Sequence, residues 1–513
     1  MSSTQVTENG FGPEAARSLT AADGESVRRV GVVDVGSNSV RLVVFDGVAR
    51  SPAYFYNEKI LCGLGKGLQE TGMLDPEGRK RALSALHRFA ALAKIMQVTV
   101  LTGVATAAVR DAKDGPAFRD QVERATGLSL EVATGEDEAR LSAKGVLLGW
   151  PKATGIVCDI GGASMEMARV EGGKIGARST SPLGPLRLAA FDTEAEQETQ
   201  IETEVAALAE RVGGPTQRLF LVGGSWRAIA KLDMERRGYP LKVLHEYRLT
   251  AEQVLETCDW LVDQSPEELS KLTDTSLARL ELVPTAARVL RRVVQTMRPE
   301  AILISSYGLR EGLLYRQMPA SMRARDPLLE AARHMEQTRA RFPGFGASLY
   351  AWLMPLFGDA DREELRLIRA ACYLHDITWR AHPDYRAEVC FETVTRANLS
   401  GLDHEGRVFL GAAIVTRYKA SSNKGLSEDI LSLLTPERQA QAETLGRALR
   451  LGAMLSGAAP GSLENTKLSR DDGTLTLTLR GPARALRGEA VDRRLRNLAM
   501  ALELEPLVTL SAR

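Results

Sequence analysis

Val30-Gly31-Val32-Val33-Asp34-Val35-Gly36-Ser37-Asn38-Ser39 is echoed later in the chain by Gly155-Ile156-Val157-Cys158-Asp159-Ile160-Gly161-Gly162-Ala163-Ser164. In each copy a short apolar strand ends in an aspartate and runs into a turn of small residues. A second apolar strand follows both times, Val40-Arg41-Leu42-Val43-Val44-Phe45 and then Met165-Glu166-Met167-Ala168-Arg169-Val170. Turns of Gly, Ser and Asn leave successive backbone N–H groups uncovered, which makes a concave site for an anion. An aspartate at the strand end can hold a cation beside that anion. Two such loops facing each other would form a phosphate clamp.

Working outward, Tyr54-Phe55-Tyr56-Asn57-Glu58-Lys59-Ile60 reads as a third strand. Asp75-Pro76 supplies an N-cap and a first-turn proline for a long helix striped by Leu83, Leu86, Phe89, Leu92 and Met96. A strand at 98–101, a helix at 116–125 closed by Gly127, a strand at 128–132 and a helix at 136–148 complete the first half. The second half repeats the order. Two strands flank Glu171-Gly172-Gly173-Lys174, a helix covers 194–212, and a strand at 218–222 runs into Gly223-Gly224-Ser225. A helix at 284–297 and a strand at 301–304 close it. Two βββαβα units in tandem predict an α/β protein of two ribonuclease-H-like lobes, of the actin and sugar-kinase type, at 29–150 and 151–317. In such folds ligands sit at the C-terminal ends of the strands, where both Asp-Gly loops lie. Beyond them the pattern predicts an all-helical domain at 318–463 and a small terminal α/β unit at 464–513, with a strand at 473–479, an arginine-rich helix and a strand at 507–510.

The bulk composition fits this division. A chain of 513 residues is too long for one core. Its hydrophobic share of 44% and charged share of 26% are those of an ordinary globular protein. Five scattered cysteines with no C-x-x-C pair suggest neither disulfides nor a zinc site, and point to a reducing cytoplasm. Residues 1–28 read as a disordered tail rather than a signal peptide, and no apolar run is long enough for a membrane span. The net charge of +1 makes the molecule no general trap for polyanions; the acidic run 194–210 and the arginine-rich run 484–496 would steer one locally or are solvated helix faces, and no nucleic-acid partner is expected.

The loops alone suit a sugar kinase, a heat-shock ATPase or a phosphohydrolase. Thr134-Gly135-Glu136-Asp137-Glu138-Ala139-Arg140-Leu141 narrows the choice, because it sets consecutive carboxylates at a helix N-terminus on the edge of the cleft. Acids there also complement the helix dipole, which is the structural alternative. Hydrolysis of a phosphoanhydride needs a water aligned in line with the scissile bond, and a carboxylate can orient that water and accept its proton.

At this point the chain resembles the Ppx/GppA family of exopolyphosphatases and guanosine pentaphosphate phosphohydrolases. The resemblance rests on residues 34–42, Ala105-Thr106-Ala107-Ala108-Val109-Arg110-Asp111-Ala112, residues 135–141, residues 159–166 and Ser305-Ser306-Tyr307-Gly308-Leu309-Arg310-Glu311-Gly312, all in the family's order. It implies Glu138 as the catalytic glutamate, with Asp159 and Glu166 organising metal and water. It implies phosphate binding by Gly36, Ser37, Asn38 and Ser39 of the first loop and by Gly161, Gly162, Ala163 and Ser164 of the second. It implies a third phosphate loop at Gly223, Gly224 and Ser225, here with a bulky continuation, and phosphate contacts from Arg110 and from Arg41, the latter being equally suited to a structural pairing. Asp34, Asp159 and Glu166 are the implied metal ligands, for Mg²⁺ alone or with a monovalent cation.

This sequence departs from the family pattern at Asp137, where the first of two paired glutamates is usual, at Ala163 in place of a glycine, and at Met165 in place of a threonine. An alanine at 163 fits only if its φ stays negative. Trp226 reads as core or as a stacking surface. In the helical region Tyr373-Leu374-His375-Asp376-Ile377 resembles an HD-hydrolase motif without its earlier histidine, so His375 reads as a structural remnant in a degenerate domain. Arg417, Lys419 and Lys424 read as lining a substrate channel or as solvated charges. The reading selected is a cytoplasmic exopolyphosphatase acting on linear polyphosphate, with dimerisation implied by the resemblance. Hydrolysis of guanosine pentaphosphate is the nearest alternative, followed by a sugar kinase or a catalytically silent sensor.

Overall fold

The computed structural model describes residues 29–47, 49–419 and 426–511. The tail at 1–28 and Lys424 lie outside the described residues. The chain divides into two compact units, Met1–Arg325 and Asp326–Arg513.

The first unit contains two sheets. One is built from β1 (Arg29–Val35), β2 (Ser39–Phe45), β3 (Tyr54–Leu61), β4 (Val98–Ala105) and β5 (Leu130–Val132), in the order β3-β2-β1-β4-β5. The other uses β6 (Gly155–Ile160), β7 (Met165–Glu171), β8 (Lys174–Ser181), β9 (Arg218–Gly223), β10 (Arg248–Leu249) and β11 (Ala301–Ile304), in the order β10-β11-β9-β6-β7-β8. In both, three antiparallel strands meet parallel ones at the first strand of the repeat. The two-residue β10 is an antiparallel edge that the sequence pattern did not announce.

The repeated loop is repeated in space. Gly36 N donates to Ser39 O at 3.0 Å, and Gly161 N to Ser164 O at 2.9 Å. Asp34 stands opposite Arg41 across one hairpin, and Asp159 opposite Glu166 across the other. Strand alternation then decides where the acids point. Val33 and Val35 pack outward against helix Pro76–Ile95 through Leu86 and Phe89, whereas Val30 and Val32 face an inner core shared by both sheets. In β6, Ile156, Cys158 and Ile160 face outward, and Val157 faces the same inner core. Asp34 follows the parity of Val32 and Asp159 that of Val157. Both acids therefore sit at the inner faces, at the strand ends.

Two helices fill that inner core, Gly135–Gly149 and Leu309–Gln317. Ala139, Ala143, Val146 and Leu147 of the first, with Leu313 and Leu314 of the second, pack between Val30, Val32 and Val104 on one sheet and Val157, Phe220 and Val222 on the other. The helices touch backbone to backbone. A Cβ on Gly312 would run into the carbonyl oxygen of Leu141, and one on Gly145 into that of Gly308. Trp226 is fully buried in the outer core of the second sheet and offers no stacking surface.

The second unit packs helices Pro327–Arg339, Phe345–Leu353, Arg362–Leu374, Arg386–Arg396, His404–Tyr418 and Pro436–Ser456. It ends in a sheet of β12 (Thr466–Asp471), β13 (Thr474–Arg480) and β14 (Glu505–Ser511), ordered β12-β13-β14, with helix Glu489–Ala501 between the last two strands. Leu475, Leu477 and Leu479 are buried while the threonines between them are half-buried, the alternation that makes this segment a strand. No helix among the described residues is long and apolar enough to cross a membrane.

Because the two inner helices meet at glycines, Gly312→Ala and Gly145→Ala should each destabilise the protein by about 1–3 kcal/mol through overpacking. Gly358→Ala, with nothing within 4 Å of the added carbon, serves as the neutral control. Chemical denaturation monitored by circular dichroism measures all three.

Candidate active site

Helix Gly135–Gly149 begins with a capping box. Thr134 Oγ1 accepts from Asp137 N at 3.1 Å, and Asp137 Oδ2 accepts from Thr134 N at 3.2 Å. Asp137 also pairs with Arg140 at 2.6 Å. The departure at this position thus has a local use: Asp137 is committed to the helix end, and Glu136 points to solvent. The next residue, Glu138, turns inward and is 9% exposed.

Glu138 Oε1 lies 2.5 Å from Arg110 Nη1, and the same nitrogen donates to Ala133 O at 3.0 Å. Arg110, on the short helix Ala107–Asp111, is thereby held as a partner of the carboxylate, with Asp111 at 3.0 Å on its Nε. One turn after Glu138, Ser142 donates its hydroxyl to Asp159 Oδ2. Glu166 Oε1 accepts from Thr180 Oγ1 at 3.0 Å.

Four carboxylates feel one another here. Burial raises Asp34, Glu138, Asp159 and Glu166 above the usual carboxylate range. Glu138 reaches about 7, because burial exceeds the pull of Arg110 and the charges of Asp159 and Asp34 push the same way. Glu166 rises on burial and then on the charges of Glu138 and Asp159. Opposed to these acids stand Arg41, Arg227 and Arg310. Burial and mutual repulsion with Arg310 and Arg227 bring Arg41 down to about 10. Burial depresses Arg310 too, but Glu311, Asp34, Tyr54 and Asp159 outweigh it and leave the group raised. Arg310 Nη1 lies 3.5 Å from Asp34 Oδ2.

The loops gather around Asp159. A Cβ on Gly223, whose φ is +115°, would sit 3.0 Å from Asp159 Oδ1, and one on Gly308 3.9 Å from its Oδ2. Gly224 opens the helix Gly224–Arg236, with Ser225 following, and Arg227 Nε closes this turn by donating to Gly223 O at 3.0 Å. Ala163 is not among the residues with positive φ, so the backbone tolerates its methyl. Arg41 Nε donates to Asn57 Oδ1 at 2.8 Å, a neutral partner that leaves the guanidinium charge uncompensated by that contact.

Among the described residues no three acidic, histidine or cysteine side chains cluster closely enough to cage a metal ion. Asp34, Asp159 and Glu166 are therefore not assembled as a complete ligand set. The donors are all carboxylates, which suits a hard cation such as Mg²⁺ that takes one or two protein ligands and completes its shell with water and phosphate oxygens. That donor set fits the implied ion on those terms.

Arg227 and Arg310 carry charge at the site without having been singled out in the sequence. Arg310 lies inside the family-like stretch 305–312, but nothing in its spacing tells that it meets Asp34. Tyr54 OH donates to Glu311 Oε1 at 3.0 Å, and Glu311 Oε2 accepts from Gly308 N at 2.8 Å, which anchors the helix carrying Arg310.

In the second unit, His375 is buried, with Nδ1 2.8 Å from Cys372 O. Asp376 is gripped by Arg341 at 2.7 and 3.0 Å and approached by Arg417 at 3.5 Å. Lys419 pairs with Glu388 at 2.5 Å. Arg417 and Lys419 are thus partnered within the unit.

These features define a two-lobed actin-like α/β protein with an acid-lined site at its strand-end loops. The chain belongs to the Ppx/GppA phosphatase family, whose model matches residues 43–321, and a model described as exopolyphosphatase, C-terminal, matches residues 328–503. Exopolyphosphatase 2 of Mycobacterium tuberculosis is 25% identical over 313 residues, 56% of this chain and 98% of that protein. A guanosine-5'-triphosphate,3'-diphosphate pyrophosphatase of Vibrio cholerae is 26% identical over 472 residues, 88% of this chain and 91% of that protein. The crystal structure of the Aquifex aeolicus family member is 26% identical with a TM-score of 0.50, covering 56% of this chain and 97% of that one.

Burial and the Arg417 charge lower the His375 imidazole from 6.5 to about 4. The folded protein resists a proton that the unfolded chain accepts, so this group's stabilisation is complete above pH 6.5 and is lost as pH falls toward 4. His375→Gln should remove up to about 2–3 kcal/mol of that acid sensitivity. Melting curves at pH 7 and pH 4.5 measure it, and equal acid losses in both proteins would contradict the burial argument.

Proposed function

We propose that the protein is an exopolyphosphatase that removes terminal orthophosphate from linear polyphosphate. The observation that carries this reading is Glu138, a buried carboxylate poised near neutrality, held by Arg110 and flanked by Asp159 at the meeting point of the loops. In this mechanism the N–H groups of Gly36 to Ser39 and of Gly161 to Ser164 hold the oxygens of the terminal phosphate, while Arg41, Arg227 and Arg310 offset its charge. Each charge-assisted bond contributes about 1.5–3 kcal/mol. Glu138 orients a water in line with the bridging oxygen and takes its proton as the new P–O bond forms. The bridging P–O bond breaks, and the shortened polyphosphate leaves with its electron pair. Asp159, with Ser142 fixing its orientation, and Glu166, with Thr180 fixing its own, keep the loop rigid beside that water. Mg²⁺ bound by Asp159, with Asp34 or Glu166, and by phosphate oxygens would neutralise charge on the substrate.

A second reading has specific support. The Vibrio cholerae relative, named for guanosine pentaphosphate hydrolysis, aligns over both units of this chain, and the same groups would remove the 5′-γ-phosphate of that nucleotide. For the second unit we propose a degenerate HD-like helical domain, because Asp376 is taken up by arginines rather than left open for a metal.

Glu138→Gln should lower phosphate release from long polyphosphate at least about a hundredfold, the scale of a lost general base, with the melting temperature showing the variant folded. Undiminished turnover would remove Glu138 from the mechanism. Phosphate release by the wild type from polyphosphate, guanosine pentaphosphate and ATP, compared side by side, separates the two substrates from each other and from a kinase-like nucleotide preference.

A further inference from the structure

We propose that the second unit carries a phosphoanion site of its own, where Lys419, Arg447, Arg450 and Arg494 converge with Asn497 on the hydroxyl of Thr416. The site is an open cavity of about 200 Å³, with the exposed Met500 at its rim. At about 30 Å³ per water it has room for about six waters, the space of one or two phosphoryl groups. All of its lining residues belong to the second unit, and it does not depend on the proposed reaction.

Its construction follows helical spacing. Thr416 lies in the last turn of helix His404–Tyr418, and Lys419 follows its end in extended backbone; Arg447 and Arg450 come from helix Pro436–Ser456, and Arg494 and Asn497 from helix Glu489–Ala501. The latter two pairs are each three residues apart, the interval that sets two side chains on one helix face. Three segments thus each present two polar groups to one small volume.

Two of the four charges are compensated and two are not. Lys419 is paired with Glu388 at 2.5 Å, and Arg447 reaches Glu443 at 3.5 Å while donating to Asn497 O at 3.2 Å. Arg450 Nη1 donates to Lys419 O at 2.8 Å, and Arg494 Nε meets the Met454 sulfur at 3.3 Å. Among the described residues neither Arg450 nor Arg494 forms an ion pair with a carboxylate. Burial and the neighbouring cations Arg494, Arg417 and Arg493 bring Arg450 down to about 10. A half-buried guanidinium surrounded by like charge gains most from an anion with several acceptor oxygens, and its fork suits phosphate.

Thr416 supplies an independent sign. The residue is 0% exposed and lines the cavity, yet its hydroxyl finds no hydrogen-bond partner. An unmade bond at a buried hydroxyl costs about 1–3 kcal/mol. Neighbouring threonines such as Thr395 satisfy themselves on the carbonyl four residues back. A phosphoryl oxygen in the cavity would accept from the Thr416 hydroxyl.

Arginine modification by phenylglyoxal, mapped by mass spectrometry on the full chain, tests the site directly. The probes are orthophosphate, methylenediphosphonate and long-chain polyphosphate, the last with Glu138→Gln, each against chloride at equal ionic strength. Arg450 and Arg494 should be protected at least about fivefold, the exposed Arg484 and Arg496 should not, and Arg494→Gln should abolish protection of Arg450. Protection by the two small probes identifies a free phosphoanion as occupant, and protection by polyphosphate alone identifies a segment of chain. Equal reactivity of Arg450 and Arg494 in chloride and in all three probes would overturn the site. The wild-type measurement needs no change in the cavity, so misfolding cannot produce that result.

Discussion

Backbone contact between two helices sets the geometry of the first unit. Helices Gly135–Gly149 and Leu309–Gln317 approach until Gly145 meets Gly308 and Gly312 meets Leu141, with no side chain between them. Both lie in the core shared by the two sheets. Each sheet delivers one Asp-Gly loop to its inner edge, and the helix pair sets how far apart those edges stand. The same helices carry Glu138, Ser142 and Arg310, so one close contact places a carboxylate, the orienting partner of Asp159 and a cation together. Larger residues at either glycine would separate the sheets and misalign all three groups.

The electrostatics follow from that packing. Carboxylates and arginines are drawn from both lobes into a region where burial penalises their charged forms. Glu138 is poised near neutrality, because burial exceeds the attraction of Arg110 and because Asp159 and Asp34 add like charge. Burial, and after it repulsion by Arg310, lowers Arg41 and Arg227. A region that gathers charges of both signs, with Glu138 paired to Arg110 and Asp34 to Arg310, gives the proposed reaction sites for both phosphate oxygens and a cation. The second unit repeats half of this logic, with arginines gathered around a small cavity and an unsatisfied hydroxyl.

Much of the fold was legible because its information is local. Period-two alternation in residues 30–35 and 155–160, small-residue turns, Asp75-Pro76 at a helix start and the stripe through Leu86 and Phe89 each act within a few residues. The order of the strands within each sheet came only from the folded structure. The edge strand Arg248–Leu249 escaped notice because two residues carry no periodicity. Within the candidate site, the loops and the helix bearing Glu138 could be read in advance. The division of labour between Asp137 and Glu138 could not, because it depends on which carboxylate bonds to the Thr134 backbone and which faces inward.

The chain of residues alone announced two α/β halves and the doubled loop with its strand-end aspartates, since these rest on alternation, turn chemistry and helix spacing within short segments. Only the folded protein decided that Arg110 is spent on Glu138, that Ser142 holds Asp159, that Arg310 reaches Asp34 from far along the chain, and that Trp226 is core. Those outcomes depend on distances between segments remote in sequence and on the loss of water around them, and neither quantity is written in any local pattern.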